Sequence, residues 1–525
     1  LTERGKVDVA RLPHAAHSAV TEPSQNSDDV IEQALLEIWQ QLLPGKTLQL
    51  TQNFFSAGGH SLLALSMLAR IKDSLNSEIS LKQFFESATI RSLAQLVKQH
   101  HGNVSNLPIL RQQGQTDFPL TSAQQQMWVL HQLDTSKAAY NMPMLVQLEG
   151  ALDTQLLCDV LTTITRQQAA FHTRYKDNNG TLLQQLQPDN KLAFSEQDLS
   201  AAPQSLQQCF SADARRPLDL TQGEGYRFIL YKLSPERHAL AVIMHHINAD
   251  GSSFQLLLRQ LCDGYRQRSL QRSWQPASAQ LQIVDLALWQ QHADYQQLAQ
   301  QQLHYWQNQL NDVPQLLELA TDFPRPAIPS YRGDRCRFDL SADTVRQLKT
   351  QAEQLGVSLY MLSFAICGQL LHEFSRQDDF VIGIPVSGRD NSQYSELIGL
   401  LVNTLPIRLR WQPDLTCKQL VQQAKQHILA GFEHQQFQLP QLLQLLNITR
   451  STSHNPLFQV LFNFNFASAN TNDVVAVTEQ LALTLTNSDN HSARFDLSFS
   501  LTLQGDNLNG FIEYSTDLFL PSSVQ

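Results

Sequence analysis

The chain has 525 residues, 42% of them hydrophobic, so it is long enough for three or four domains with substantial cores. Its formal net charge is −10 and its pI is about 5.9, and it contains no lysine- or arginine-rich run, so nucleic acid is not an expected partner. No apolar run reaches the ~18–20 residues of a membrane-spanning helix, so no membrane is expected as a partner either.

The cysteines are scattered and not paired. None of the six is separated from another by two residues, so neither a disulfide framework nor a zinc site is predicted. Reduced thiols favour a cytoplasmic location. The chain begins with leucine and no signal-peptide pattern precedes its first domain, which indicates a piece of a longer protein. The six positions are Cys158, Cys209, Cys262, Cys336, Cys367 and Cys417.

Two polar stretches are predicted to be linkers. Residues 1–24 contain Pro13 and Pro23, and residues 101–117 read HGNVSNLPILRQQGQTD. The first stretch is predicted to be a tail and the second to separate two globular parts.

Residues 25–100 have the pattern of a small helical domain. In SDDVIEQALLEIWQQLLPG, Ser27 or Asp28 is the predicted N-cap and the Pro-Gly pair the predicted stop. A second helix is predicted to begin at Ser61. The two shorter helices are predicted at about 80–86 and 89–99. Four helices in roughly 75 residues predict a four-helix bundle.

Residues 118–525 alternate strand and helix patterns, which predicts an α/β domain too long for one sheet. Two lobes are predicted, an N-lobe of about 118–285 and a C-lobe of about 286–525. The clearest patterns are a buried strand HALAVIMHH, a helix SSFQLLLRQLCDGYRQ, an all-round apolar helix SLYMLSFAICGQLLHEFS, a strand DFVIGIPVSG and a C-terminal hairpin FDLSFSLTLQGDNLNGFIEYS.

The stretch NFFSAGGHSLLALSMLARI places a serine at the start of the second helix. Gly58 and Gly59 permit a tight turn, after which the Ser61 hydroxyl lies near the positive end of the helix dipole. A plain N-cap serine is the simpler interpretation. The run also resembles the attachment site of carrier proteins, in which the serine after Gly-Gly-x accepts 4′-phosphopantetheine. The resemblance implies a thiol arm on Ser61 that carries acyl groups as thioesters, made by a phosphopantetheinyl transferase.

The first eight residues, LTERGKVD, resemble the end of an adenylation domain, where the lysine contacts the adenylate. The rest of that domain is absent, so Lys6 is expected to be inert here. The resemblance implies an upstream adenylation domain as a partner.

The strand HALAVIMHH ends in two adjacent histidines, and three interpretations compete for them. Histidines at a strand end are often structural. A metal site is disfavoured, because only Asp250 is near enough in sequence to add a ligand. The third interpretation is acid–base chemistry, since the unperturbed pKa of histidine lies near neutrality. On that interpretation Gly251 leaves room for backbone or substrate to pass closely.

The run HHINADG fits the HHxxxDG signature of nonribosomal peptide synthetase condensation domains, at His245, His246, Asp250 and Gly251. Further segments resemble the other family motifs in order. They are LTSAQQQMWVL, TRQQAAFHTRY, VDLALWQ, GIPVSGRD, IGLLVNTLPIRL, HQQFQLPQLL and SHNPLFQVLFNF. The second matches loosely, because Gln168-Ala169 and His172 replace a usual His-Glu and an arginine.

The resemblance implies two chloramphenicol-acetyltransferase-like lobes arranged in a V, with the active site at their junction. A donor aminoacyl or peptidyl thioester would meet an acceptor amine there and form a peptide bond. His246 is the implied key residue, as general base or as a positioning group, and His245 is expected to be structural. Asp250 is expected to pair with an arginine, Arg389 as first candidate and Arg174 as second.

Related functions are weighed against this one. Cyclisation domains carry aspartates in place of the histidine pair, and epimerisation domains fit the surrounding segments less well. An ester-forming domain and a degenerate condensation domain acting as a docking platform remain alternatives. The donor's stereochemistry stays open. Chain order predicts that the carrier at Ser61 supplies the donor, and that downstream adenylation and carrier domains supply the acceptor.

Overall fold

The computed structural model describes residues 29–43, 48–55, 57–59, 61–100, 111, 114–134, 137–187, 191–201, 205–277, 281–389, 391–437, 439–448, 451–466, 475–486 and 491–525. Lys6, the predicted tail 1–24 and most of the predicted linker lie outside these residues. The chain divides into two compact units, Leu1–Val104 and Ser105–Gln525.

The first unit contains four α-helices among its described residues, as predicted. They are α1 Val30–Leu42, α2 Ser61–Leu75, α3 Leu81–Glu86 and α4 Ile90–Gln99. The cap of α1 is Asp29, whose carboxylate accepts from the Ile31 N–H at 3.0 Å, so the predicted cap at Ser27 or Asp28 was too early.

An aromatic core explains the two glycines that precede α2. The ring of Phe54 packs edge-on against Trp39 and Phe84, with centroids 4.9 and 5.2 Å apart. A Cβ at Gly59 would lie 2.2 Å from the Phe54 ring, and Gly58 has a φ of 103°. Both positions therefore require glycine, and together they bring the chain to the first residue of α2.

The second unit contains fifteen named strands among its described residues. They are β1 Asp117–Pro119, β2 Asn141–Gly150, β3 Thr173–Asn178, β4 Thr181–Leu186, β5 Phe194–Asp198, β6 Tyr226–Ser234, β7 Arg237–His245, β8 Gly333–Leu340, β9 Asp379–Val386, β10 Asn403–Arg410, β11 Val460–Phe466, β12 Val475–Ala476, β13 Leu481–Thr486, β14 Leu497–Gln504 and β15 Asn507–Ser515.

The helices of the second unit alternate with these strands. They are α5 Ser122–Leu133, α6 Thr154–Gln167, α7 Leu206–Ala214, α8 Gly251–Ser269, α9 Ile283–Trp289, α10 Ala293–Leu310, α11 Ala342–Gln354, α12 Leu359–Ser375, α13 Cys417–Glu433, α14 Leu439–Leu445 and α15 Pro521–Val524. The predicted α/β organisation in two lobes is confirmed, because two six-stranded sheets are present.

The N-lobe sheet has the order β12-β13-β2-β7-β6-β5, and β7 lies near its centre. Leu240 and Val242 of β7 pack with α6 and α8, whereas Ala241 and Ile243 pack with Phe210 of α7. Because both faces are covered, the strand reads as a continuous apolar run. The end of β7 is therefore a rigid mount for the residues that follow it.

The N-lobe sheet also takes strands from far along the chain. Residues 475–486, which the sequence placed with the C-lobe, form β12 and β13, and β13 pairs antiparallel with β2. Gly150 makes this crossing fit: its φ is 116°, and a Cβ there would lie 1.9 Å from the Gln480 carbonyl oxygen. The lobes are thus not two consecutive segments of sequence.

The C-lobe sheet has the order β10-β9-β11-β14-β15-β8 and contains the predicted C-terminal hairpin as β14 and β15.

Helix α12 departs from the prediction of all-round burial. One face is buried, but Ile366, Leu370 and Phe374 on the other are 49%, 43% and 64% exposed. Within the described residues no single helix is long and apolar enough to cross a membrane; α11 and α12 pass that test as a pair bent by 101°.

Candidate active site

The two histidines leave the end of β7 in different directions. His245 is the last residue of β7 and is fully buried. The Asn248 N–H donates to its carbonyl at 2.9 Å, which closes a turn directly after the strand. Asp250 then caps α8, because its carboxylate accepts from the Ser253 N–H at 3.0 Å. The signature thus forms a strand, a tight turn and a helix start.

His245 is held on both sides of its ring. Its Nδ1 accepts from the Ile247 N–H at 3.1 Å, so Nε2 carries the proton and donates to Nδ1 of His131 at 3.1 Å. Burial lowers the pKa of His245 to about 2. A neutral, fully bonded side chain in the core supports the structural role predicted for His245.

His246 points its ring the other way and is partly exposed. Its main-chain N–H donates to the Tyr140 carbonyl at 2.9 Å, and Nδ1 lies 2.8 Å from the Ala249 carbonyl oxygen. Because a carbonyl only accepts, Nδ1 carries the proton and Nε2 presents a lone pair. Burial, followed by the charge of Arg494, lowers the pKa of His246 to about 4. The imidazole is therefore neutral near pH 7.

Asp250 joins the two lobes through its carboxylate. Arg389 donates to Oδ2 from Nη1 at 2.8 Å and to Oδ1 from Nη2 at 3.0 Å. The main-chain N–H groups of Leu401 and Val402 also donate to Oδ2, at 3.1 and 3.3 Å. All four contacts are made to residues of the C-lobe, so the carboxylate fixes the turn to that lobe.

The other candidate arginine lies elsewhere. Arg174 donates from Nε to Oε1 of Gln185 at 2.7 Å, on the neighbouring strand of the small sheet β1-β4-β3. It does not pair with Asp250 in the structure. Gly251, in contrast, is the exposed first residue of α8, and a Cβ there would meet no atom within 4 Å.

The structure also shows the surroundings of Gln168 and His172, the residues of TRQQAAFHTRY that depart from the family pattern. Gln168 donates from Nε2 to the Glu396 carbonyl at 2.9 Å, and its Oε1 accepts from the Ile398 N–H at 3.1 Å. It therefore ties the end of α6 to the C-lobe loop before β10. His172 is buried, and burial lowers its pKa.

One residue of the site, Arg494, was not predicted from the sequence. The Arg494 guanidinium lies over the Tyr140 ring, with Cζ 5.1 Å from the centroid. Tyr140 is also the residue whose carbonyl binds the His246 main chain. Arg494 lies just before the alternating pattern of β14. A charged residue next to that strand was the one feature of the sequence that could have indicated a functional role.

Ser61 belongs to the other unit and is described by its main chain alone. It begins α2, a helix of 15 residues, after the two required glycines. The N-terminus of a helix is the positive end of its dipole, which favours the phosphodiester of an attached arm. These surroundings fit a phosphopantetheine arm.

The comparisons with known proteins agree with this geometry. The family model described as condensation domain matches residues 114–525, and the model described as phosphopantetheine attachment site matches residues 33–97. The chain therefore belongs to the condensation-domain family, and it carries a phosphopantetheine carrier domain before that domain. A covalently attached 4′-phosphopantetheine is the cofactor of that carrier.

Curated relatives match the whole chain. Tyrocidine synthase 2 of Brevibacillus parabrevis is 32% identical over 533 residues, and bacitracin synthase 3 of Bacillus licheniformis is 31% identical over 526 residues. In both cases the match covers 100% of this chain, but only 14% and 8% of the relative. The chain thus spans a small part of the length of these synthases.

Solved structures show the same fold. The X-domain from teicoplanin biosynthesis is 24% identical with a TM-score of 0.71, covering 79% of this chain and 93% of that one. A four-domain nonribosomal peptide synthetase bound to AMP and glycine is 22% identical with a TM-score of 0.70, covering 81% of this chain and 33% of that one.

Proposed function

We propose that this chain carries out a peptide-bond-forming step of nonribosomal peptide synthesis. The carrier presents a donor aminoacyl or peptidyl thioester, and the condensation domain transfers the acyl group to the amine of a downstream carrier-bound acceptor. The observation that carries this proposal is the neutral His246, whose Nε2 has no partner among the described residues, at a turn fixed by Asp250 and Arg389. A degenerate docking platform has no need of such a fixed side chain.

The reaction requires few proton movements. The acceptor nitrogen attacks the thioester carbon and forms the C–N bond, the C–S bond breaks, and the departing sulfur receives the proton that the amine loses. A free α-amino group has a pKa of about 8, so a usable fraction is neutral at pH 7. The enzyme therefore has mainly to orient the amine.

His246 is the residue that we assign to that task. Its Nε2 lone pair can accept a hydrogen bond from the attacking amine. The lowered pKa makes His246 a weak proton acceptor before the C–N bond forms, which supports orientation as its main contribution. Once the nitrogen has gained positive charge, the same lone pair can receive its proton.

Ser61 is the residue to which we assign the phosphopantetheine arm, and the arm's thiol supplies the thioester linkage. A phosphopantetheinyl transferase would install it, and an upstream adenylation domain would load it. All six cysteines are free in the structure, which supports a reducing, cytoplasmic setting for this thiol chemistry.

Carrier order makes the reaction testable. Ser61 is loaded with one aminoacyl-pantetheine, and a separate downstream carrier is loaded with another. We expect the dipeptide on the separate carrier and a free thiol on Ser61, both found by mass spectrometry. Ser61→Ala should accept no arm and give no product. Dipeptide on Ser61 would reverse the assignment, and product only with an alcohol acceptor would favour ester formation.

A further inference from the structure

Arg494 reaches from the C-lobe to the N-lobe beside the proposed reaction centre. Its guanidinium lies over the ring of Tyr140, and the carbonyl of Tyr140 accepts the main-chain N–H of His246 at 2.9 Å. Tyr140 thus connects the cation to the histidine through two direct contacts. The charge of Arg494 is close enough to act on the imidazole, because it helps to lower the pKa of His246.

The main chain around Arg494 is anchored on both sides. Asn455 donates from Nδ2 to the Arg494 carbonyl at 2.6 Å, and the Ala493 N–H donates to the Tyr331 carbonyl at 3.0 Å. Asp496 pairs with Arg325 through both of its carboxylate oxygens. The fold therefore holds the main chain of Arg494 at this position.

The charge of Arg494 lacks a partner among the described residues. Glu513 acts on it electrostatically, but that carboxylate is already bound by Arg335, from Nε at 3.1 Å and from Nη2 at 2.9 Å. Burial lowers the pKa of Arg494, although the side chain remains partly exposed. The guanidinium is therefore mostly surrounded by protein and still reached by solvent, so a bound substrate can contact it.

Arg227 shows what a structural arginine looks like in the same domain. It is buried and also lacks a carboxylate partner among the described residues. Its guanidinium donates to three carbonyls, those of Asp213 at 3.3 Å, Arg216 at 3.1 Å and Pro217 at 2.7 Å. The Arg494 guanidinium donates to no such acceptor in the described part of the chain, so none of these residues uses its hydrogen-bonding capacity.

We propose that Arg494 is a substrate-contacting residue of the transfer site, whose guanidinium binds the thioester carbonyl oxygen as that oxygen gains negative charge. This inference rests on the proposed function. A partly buried cation with no partner among the described residues is unfavourable, and an anion that develops during the reaction would compensate its charge in the transition state, where compensation accelerates the step.

The electron movements are consistent with this role. As the acceptor nitrogen bonds to the carbonyl carbon, the C=O π pair moves onto oxygen, where Arg494 donates to it. The pair then returns, the C–S bond breaks and the sulfur leaves with the proton from nitrogen. Arg494 neither gains nor loses a proton in these steps.

The test uses the whole chain with Ser61 loaded and measures the rate and acceptor KM of dipeptide formation. Arg494→Met is expected to lower kcat on the order of 10²-fold and to change KM by less than about threefold. Arg494→Lys keeps the charge but loses the planar guanidinium, so we expect its kcat to be about tenfold higher than that of Arg494→Met.

Arg227→Met is the matched control, since it removes a buried arginine with the same substitution. It is expected to lower the melting temperature while the folded protein keeps its kcat. Wild-type kcat in Arg494→Met, or a lower melting temperature as its sole effect, would assign Arg494 to bracing Tyr140 and overturn the inference. Failure of the wild-type chain to form dipeptide would instead count against the proposed function.

Discussion

Arg389 and Asp250 form a buried two-contact ion pair, with N–O distances of 2.8 and 3.0 Å and side chains 11% and 3% exposed. The pair connects the first turn of α8 to the segment after β9, and so connects one lobe to the other. Because a planar guanidinium meets both carboxylate oxygens, it fixes orientation as well as distance.

Removing the carboxylate should destabilise the fold as well as the reaction. Asp250→Ala leaves Arg389 buried without its partner, and breaking such a pair costs about 3–5 kcal/mol. Urea unfolding monitored by fluorescence should show this loss. Asp263→Ala serves as the control, since Asp263 is half exposed and contacts Arg266 only at 3.7 Å. An Asp250→Ala protein that is inactive with the wild-type unfolding midpoint would give Asp250 a direct chemical role.

The sequence predicted those parts of the site that are local in the chain. The apolar run of β7, the turn and α8 follow from periodicity and capping, and Asp250 was expected to pair with Arg389 or Arg174. The choice between the two arginines required tertiary structure, because each lies on a different element. Strand and turn patterns determine where a side chain starts, but not which distant group it meets.

The parts that were not predicted all involve distant segments. The pairing of β13 with β2 and the contact of Arg494 with Tyr140 join residues far apart in sequence. No periodicity distinguishes these partners from others of equal hydrophobicity or charge. Gly150 could have indicated the close approach of another strand, yet a lone glycine at the end of a strand is equally typical of an ordinary turn.

His246→Ala should lower the rate of dipeptide formation while leaving the fold intact. Within the described ranges the side chain makes one hydrogen bond, to the Ala249 carbonyl, and it is partly exposed, so its contribution to stability is small. Because orientation of the amine is its main contribution, we expect a rate loss of about tenfold. A loss on the order of 10²–10⁴ would show instead that Nε2 takes the proton in the rate-limiting step. His245→Ala is the contrasting variant, expected to lower the melting temperature because His245 is fully buried.

The pH dependence of the rate should reflect the acceptor amine and not His246. The pKa of His246 is lowered to about 4, so the imidazole stays neutral between pH 5.5 and 8. The neutral fraction of an amine with a pKa of about 8 falls tenfold per pH unit below that value. Single-turnover rates should therefore fall roughly fivefold from pH 8 to 7 and about tenfold per unit from pH 7 to 5.5. A change to a hundredfold per unit below pH 6.5 would show a histidine of ordinary pKa instead.

The free energy of unfolding should decrease as the pH falls below the pKa of the histidines in the unfolded chain. The folded pKa values of His245 and His246 are about 2 and 4, below an unfolded value near 6.5, so the unfolded state binds more protons in between. Their contribution is complete above pH 6.5 and declines as the pH falls from 6.5 towards 4. Melting temperatures measured from pH 7 to 5 should fall less steeply in His246→Gln than in the wild type. Equal slopes would contradict the lowered pKa.

The open space beside Gly251 should be used by the substrate. Gly251 is exposed, lies next to Asp250, and a Cβ there would meet no atom within 4 Å, so its side chain can be enlarged without disturbing the core. Gly251→Ala should keep or slightly raise the melting temperature, since alanine favours a helix by about 0.5–1 kcal/mol. Gly251→Trp should fold equally well but lose most dipeptide formation, because the indole occupies the space beside the His246 turn. Gln255→Trp adds the same ring to an exposed position of α8 and should retain its rate. If Gly251→Trp turned over as fast as Gln255→Trp, the substrate would have to approach His246 by another route.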